Sequence, residues 1–304
     1  MRLQPLTRAR LRTMGRPGQV WQDSLPRLLA DLESSWSIVI GRGLAGGSAS
    51  YVARARTAEG RSAVVKVAVS DQGWADQVTT LARAEGRGYA RLLRADSARH
   101  AVLLEALGPT LSSSGWSSAD QLRCLADTLA MAWQDPGERR PASGADKASW
   151  LADLISRLWP QRGRPCSQRV INRALEYGDR RAADAHLDLV VVHGDPHPGN
   201  LLAVPAPRPG AETGYVFVDP DGLVADRAYD LGVAMRDWSG SLGGQDAARV
   251  ARGFCAVLAE RSGVDGQRIW EWGFLERVST GLYLLDLGAP MVARPFLASA
   301  ERLI

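Results

Sequence analysis

Between residues 37 and 69 the chain carries three runs rich in β-branched and small apolar residues, 37–41, 49–57 and 62–69. Gly41, Gly43, Gly46 and Gly47 part the first two, and an Ala-Glu-Gly turn parts the second and third. Such runs, punctuated by glycine, predict a three-stranded antiparallel meander. A short helix at 73–84 follows, then two more apolar runs, 89–93 and 100–107, that read as strands. From residue 108 the chain turns to Gly, Pro and Ser, and the apolar period beyond that linker is helical. Leu122, Leu125, Leu129 and Trp133 mark one helix, with Ser118 and Gln121 fitting a capping box at its start. Trp150, Leu151, Leu154, Ile155, Leu158 and Trp159 mark a second, stopped by Pro160. A third is expected at 167–186, and two long helices, 245–261 and 266–287, close the chain. Inside this helical part, 188–192 and 215–219 read as neighbouring buried strands, with a surface excursion between them at 206–210. The pattern predicts an α+β protein in three parts. Residues 1–35 are an N-terminal arm with a short helix at Leu25–Leu32, 36–107 a small β-rich lobe, and 108–304 a larger helical lobe.

Composition narrows the class. Hydrophobic residues make up 45% of the 304 residues and charged residues 23%, as in an ordinary globular chain. No apolar run approaches the ~20 residues needed to cross a bilayer, so no membrane partner is expected. Cys124, Cys166 and Cys255 are far apart and form neither a disulfide framework nor a zinc pattern, which suits a reducing cytoplasm. The net charge of +4 is concentrated at the start, where Arg2, Arg8, Arg10, Arg12 and Arg16 stand without an acid. That segment reads as a tail, with Met14 as a possible true beginning. The body lacks a basic surplus, so no nucleic-acid partner is expected. A monomer or weak dimer is expected.

The chemistry concentrates in VVHGDPHPGNLL, residues 191–202. Three valines end a buried strand, and the two prolines and two glycines that follow force a loop of fixed shape. Asp195 and Asn200 sit on that loop, and Asp219 ends the next valine-rich run. If the two runs are neighbours, the three groups converge. Asn200 and Asp219 are hard oxygen donors suited to Mg²⁺, and Asp195 stands where it could take a proton from a hydroxyl. Lys66 lies in the apolar run AVVKVAV, one of only two lysines beside Lys147 in a chain that otherwise uses arginine. A lysine in such a run needs a partner, and a phosphate fits. The glycine-rich stretch at 43–50, which includes Ser48, could cover phosphates with backbone N–H groups. An Asp base, a magnesium pair and a strand lysine together suit phosphoryl transfer. Alternatives stay open: His193 as a structural residue, Asp221 and Asp226 as solvated turn residues, and a nucleotide-binding regulator without turnover. A metallophosphoesterase would need an earlier Asp-x-His pair and more than the four histidines present.

The ordered set VVKVAV, HGDPHPGN, FVDPDG and DRAYDLG resembles the aminoglycoside phosphotransferase family within the protein-kinase-like fold, and most of all its streptomycin kinase and hydroxyurea phosphotransferase branch. The resemblance spans residues ~36–290. It implies a two-lobed small-molecule kinase that passes the γ-phosphate of ATP, or GTP, to a hydroxyl of an acceptor, cationic if it is aminoglycoside-like. By resemblance Asp195 is the catalytic base, His197 touches the transferred phosphate, and Asn200 and Asp219 bind Mg²⁺. Lys66 holds the nucleotide phosphates, with an acid from the small-lobe helix orienting it. Asp76 is favoured for that acid over Glu85. Backbone groups near Glu105 and Leu107 pair with adenine, and Asp230 braces the catalytic loop. For an acidic acceptor cleft the helical lobe offers Asp237, Glu271, Glu276 and Asp286, and Trp116, Trp238, Trp270 and Trp272 could line it; composition does not decide which.

Overall fold

The computed structural model describes residue 3 and residues 5–44, 49–70, 73–137, 144–184 and 188–304. Two helices come first, α1 (Pro5–Thr13) and α2 (Arg16–Trp36). The short helix foreseen at Leu25–Leu32 is therefore the middle of a 21-residue one, and the tail before it is helical too. The reason is a stripe hidden among arginines. Leu3, Thr7 and Leu11 are spaced by four, share a face and are buried. Leu25, Leu32 and Trp36 continue the buried layer, while Arg8, Arg12 and Arg16 face out.

That layer covers one face of a five-stranded sheet formed by β1 (Ile38–Gly43), β2 (Ser50–Thr57), β3 (Ser62–Ala68), β4 (Leu92–Asp96) and β5 (Ala101–Glu105). The strands pair antiparallel in the order β1-β2-β3-β5-β4. Strand alternation sorts the two faces. Ala63, Val65 and Val67 of β3 and Ala101 and Leu103 of β5 pack under α1 and α2. Lys66 therefore points to the opposite face. Val102 and Leu104 also point there, where they join Leu81 and Ala84 of α3 (Trp74–Ala84) in a core that continues into the helical part.

The helical part holds α4 (Ser118–Ala132), α5 (Gly144–Gln161), α6 (Gln168–Ala182), α7 (Arg227–Arg236), α8 (Ala247–Ser262), α9 (Gly266–Asp286) and α10 (Pro290–Glu301). The cap of α4 is Ser117, one residue before the expected box. Its Oγ accepts the Asp120 N–H at 3.2 Å, and the Gln121 amide instead donates to the Trp116 carbonyl. α5 runs through Pro160 to Gln161, and a helix beyond the expected pair, α10, packs on α9 at the end of the chain. Among the described residues no helix is long and apolar enough to cross a membrane.

Four three-residue strands lie between α6 and α7: β6 (Leu189–Val191), β7 (Leu201–Ala203), β8 (Tyr215–Phe217) and β9 (Val224–Asp226). The two valine-rich runs are not hydrogen-bonded neighbours, as had been expected. β7 pairs with β8, and β6 pairs with β9, so one hairpin is nested inside another. The shorter connection closes the inner pair, and the outer pair clasps its base. The excursion at 206–210 is not loose either. Arg208 is only 10% exposed and donates to the carbonyls of Gly86 and Tyr89 and to Glu105.

Candidate active site

The nested hairpins bring two loops side by side, 193–200 and 218–223. Three backbone bonds stitch them: Val192 N–H to Leu223 O at 2.9 Å, Val218 N–H to Asn200 O at 2.9 Å, and Asp221 N–H to His193 O at 2.7 Å. Asp195 and Asn200 from one loop thus stand beside Asp219 from the other. Gly194, at φ 92°, permits the approach, since a Cβ there would lie 2.6 Å from the Asp221 side chain. Asp219 itself holds a left-handed φ of 59°.

The loop is braced from beneath. Asp230 of α7 is buried and accepts from the N–H groups of His193 and Gly194, both at 2.8 Å, and from Trp133 Nε1 at 2.9 Å. Burial pushes its carboxyl up to about 6, against those hydrogen bonds. His193 is a structural histidine. Its Nδ1 accepts the Asp195 N–H at 3.1 Å, so Nε2 carries the proton donated to Val218 O at 2.9 Å. Burial holds this ring at about 4, neutral at physiological pH.

The Asp195 side chain is 42% exposed, so solvent can reach it. Arg236, at the end of α7, donates to Asp195 Oδ1 at 2.7 Å. Burial raises the Asp195 carboxyl, but the Arg236 charge, with His197 nearby, outweighs it and holds the group below the ordinary carboxylate value. His197 Nε2 stands 3.6 Å from Asp195 Oδ2, and its Nδ1 accepts the Gly199 N–H. Asp221 is exposed, as expected of a turn residue, and its N–H closes the turn on His193 O. Asp226 is not solvated: it is buried, capping α7 and paired with Arg268.

From the sheet, Lys66 Nζ reaches Asp219 Oδ1 at 2.8 Å. The expected helix acid is not its partner. Asp76 and Glu85 are exposed, and Gln77 Oε1 accepts from Lys66 at 3.2 Å instead. The inward face of α3 carries Leu81 and Ala84, and residue 77 lies one helical turn before Leu81 on that face. This signal was readable in the sequence. No comparable local signal marks Arg236. At the edge of β5 the Glu105 N–H is occupied by Arg91 O and the Glu105 carboxylate by Arg208 and the Arg91 N–H. Leu107 makes no main-chain hydrogen bond among the described residues, which leaves its backbone free to pair. Ser48 lies outside the described residues.

Asn200 donates its amide to Asp195 O at 3.0 Å, and its side-chain oxygen and the Asp219 carboxylate are hard donors on two segments joined by the Val218 N–H to Asn200 O bond. Among the described residues no group of three or more His, Cys, Asp or Glu converges as a metal site. A carboxylate and an amide oxygen fit Mg²⁺, which commonly keeps water and takes phosphate oxygens for its remaining ligands.

A cavity of about 370 Å³ opens beside the loop, lined in part by Ser112, Gln121, His197, Asp237 and Trp238. Of the four acids foreseen for an acceptor cleft, only Asp237 lines it. Glu271 and Glu276 are buried, facing Arg181 and Arg236, and Asp286 pairs with Arg162. Of the tryptophans only Trp238 lines it; Trp270 and Trp272 are core. A larger cavity, about 410 Å³, lies against α4 at Arg123 and Thr213, and of the residues foreseen for an acceptor cleft it is lined by Trp116 alone.

A family model described as aminoglycoside/hydroxyurea antibiotic resistance kinase matches residues 35–288. Streptomycin 6-kinase from Streptomyces glaucescens is 26% identical over 296 residues, covering 94% of this chain and 91% of that protein. Hydroxyurea phosphotransferase from Kitasatospora aureofaciens is 24% identical over 310 residues, covering 98% and 84%. Among solved structures, choline kinase LicA from Streptococcus pneumoniae superposes with a TM-score of 0.60 at 16% identity, over 90% of this chain and 99% of that one. A thermostable mutant of aminoglycoside phosphotransferase APH(4)-Ia, in ternary complex with ADP and hygromycin B, gives 0.59 at 16% identity, over 90% and 97%. These likenesses show the two-lobed protein-kinase-like fold. With the family match over most of its length, the chain belongs to the aminoglycoside/hydroxyurea antibiotic resistance kinase family and is a phosphotransferase.

Proposed function

We propose that the protein transfers the γ-phosphate of ATP to a hydroxyl of a small-molecule acceptor, with Asp195 as the base and nucleotide held between residues 36–107 and the helical lobe. The observation that carries this reading is the meeting at one cleft of Lys66, Asp219, Asn200 and a solvent-accessible Asp195. Lys66 is placed to leave Asp219 for the nucleotide phosphates, and Leu107 offers its backbone to the base. Asp219 and Asn200 are the residues that would hold Mg²⁺, which when bound offsets the charge on phosphate oxygens. Asp195, kept ionised by Arg236, orients the acceptor hydroxyl and accepts its proton as the oxygen–phosphorus bond forms. His197 lies beside that path.

The acceptor enters through the cavity at Asp237 and Trp238. One carboxylate and one indole suit a hydroxylated acceptor bearing a cationic group, and a streptomycin-type aminoglycoside is the first candidate. Hydroxyurea, named in the second relative, is the small uncharged comparison. A coupled assay with ATP, Mg²⁺ and a panel of aminoglycosides, hydroxyurea and amino sugars tests the reading. Asp195→Asn should abolish transfer, a loss on the order of a thousandfold or more, with nucleotide binding retained. Undiminished turnover in that variant would remove the base.

A further inference from the structure

The small-lobe helix presents an amide where an acid was expected, and the amide does something a carboxylate cannot. Gln77 Oε1 accepts from Lys66 Nζ at 3.2 Å, while Gln77 Nε2 donates to the Pro220 carbonyl at 3.3 Å. Pro220 directly follows Asp219, which itself pairs with Lys66 at 2.8 Å. One side chain therefore ties the β3 lysine to the loop bearing the metal-binding carboxylate, closing a ring of Lys66, Gln77, Pro220 and Asp219. A glutamate could accept from the lysine but has no proton for Pro220, so that contact would become oxygen against oxygen. It would also give a half-buried cluster a net negative charge, whereas Lys66 and Asp219 alone are neutral.

A second observation shows that α3 and this loop are fitted to each other. Gly222, at φ +69°, lies so close to α3 that a Cβ there would come within 2.7 Å of the Asp76 carbonyl. The helix is also held in its C-terminal half, where Gln134 Nε2 donates to Thr80 O at 3.0 Å and Arg83 donates to Asp135 O at 3.0 Å. The position of Gln77 is thus set by the packing of the whole helix.

We propose that Gln77 is a positioning residue for the nucleotide. It fixes Lys66 and the Asp219 loop at one separation through a neutral group, and leaves the full lysine charge available first to Asp219 and then to phosphate. This inference rests on the nucleotide reading of the same cleft. It assigns to an uncharged residue the orienting work for which an acid was sought, and it excludes the neighbouring Asp76.

The test is a calorimetric titration of MgADP into the full chain and its variants, alongside steady-state kinetics. Gln77→Leu removes both contacts and keeps bulk; Gln77→Glu keeps one contact, loses the other and adds charge. Each should weaken MgADP binding and raise the ATP KM by about tenfold, the order expected for hydrogen bonds to charged groups. The acceptor KM and kcat should change little. Asp76→Ala should match the wild type. The split between nucleotide KM and kcat separates positioning from a loss of folding, which would lower the active fraction without altering KM. Wild-type affinity in both Gln77 variants, or weakened binding in Asp76→Ala, would overturn the inference alone. Failure of the wild type to bind MgADP would overturn the nucleotide reading with it.

Discussion

Arg236 touches four groups at once: Asp195 Oδ1 at 2.7 Å, Asp237 at 3.2 Å, and Glu276 and Thr280 at 3.5 Å. Its charge is what keeps Asp195 ionised against burial, so its removal has a definite sign. In Arg236→Gln the burial effect acts unopposed by that cation, the Asp195 carboxyl rises, and the acidic limb of the pH profile of kcat/KM moves to higher pH. Activity near neutrality should also fall, by roughly tenfold for loss of one charge-assisted bond. Arg236→Lys retains the charge and should leave the limb near its original place. Profiles carried down through the ordinary carboxylate range, from about pH 3 to about pH 8, check both outcomes, and an unmoved limb in Arg236→Gln would show that Asp195 does not set it. At this scale much of the site was legible. Asp195, Asn200, Asp219 and Lys66 could be picked out because the loop and strand that carry them have strong local patterns. Gln77 was readable from helical spacing but hidden behind an expectation of charge. Arg236 was not readable, because nothing local ties residue 236 to residue 195.

The elements that carry these residues are held by close backbone contact. α7 supplies both Asp230 and Arg236 and packs directly on α9. Gly232 makes that possible, since a Cβ there would lie 2.4 Å from Trp272 Cβ and 2.8 Å from Gly273 N. Neither neighbour is a flexible chain end, so the helices must separate to admit a methyl group. Gly232→Ala should therefore destabilise the protein by about 3 kcal/mol, even though alanine favours a helix. Urea unfolding measures this, and a midpoint equal to the wild type would contradict the contact. Helical and strand periods revealed most elements in advance, with their ends displaced by a residue or a few. The errors have a shared cause. The α1 stripe was overlooked because its three buried positions, one of them a threonine, are scattered among arginines. The hairpin partners were misassigned because apolar runs state that a strand is buried, not which strand lies beside it.

Across the whole molecule, the sheet and the helical part share an apolar core and are also joined by polar side chains. Lys66–Asp219 is one such polar link among the described residues, and Arg208 is another. The guanidinium of Arg208 sits in a nearly closed site with Glu105 at 2.5 Å and the Gly86 and Tyr89 carbonyls at 2.6 Å and 3.1 Å. Arg208→Ala leaves the Glu105 carboxylate and two carbonyls short of a donor, and should cost about 3 kcal/mol. Arg249→Ala breaks an exposed pair with Asp246 and should cost nothing measurable. Equal unfolding midpoints for the two variants would contradict the strap between the lobes.

The amino-acid order by itself determined the α+β plan, the strand that carries Lys66, the rigid loop that carries Asp195 and Asn200, and hence the phosphotransferase class. These are local properties, written in periods of two and 3.6 residues and in glycine and proline positions. Only the tertiary structure decided that Gln77 stands against Lys66 and Arg236 against Asp195, that Arg208 joins the lobes, and that Asp237 alone of four acids lines the cavity beside the loop. Those choices depend on contacts across tens to more than a hundred residues of chain, where burial and pairing of charge, rather than any neighbour in sequence, select the partner.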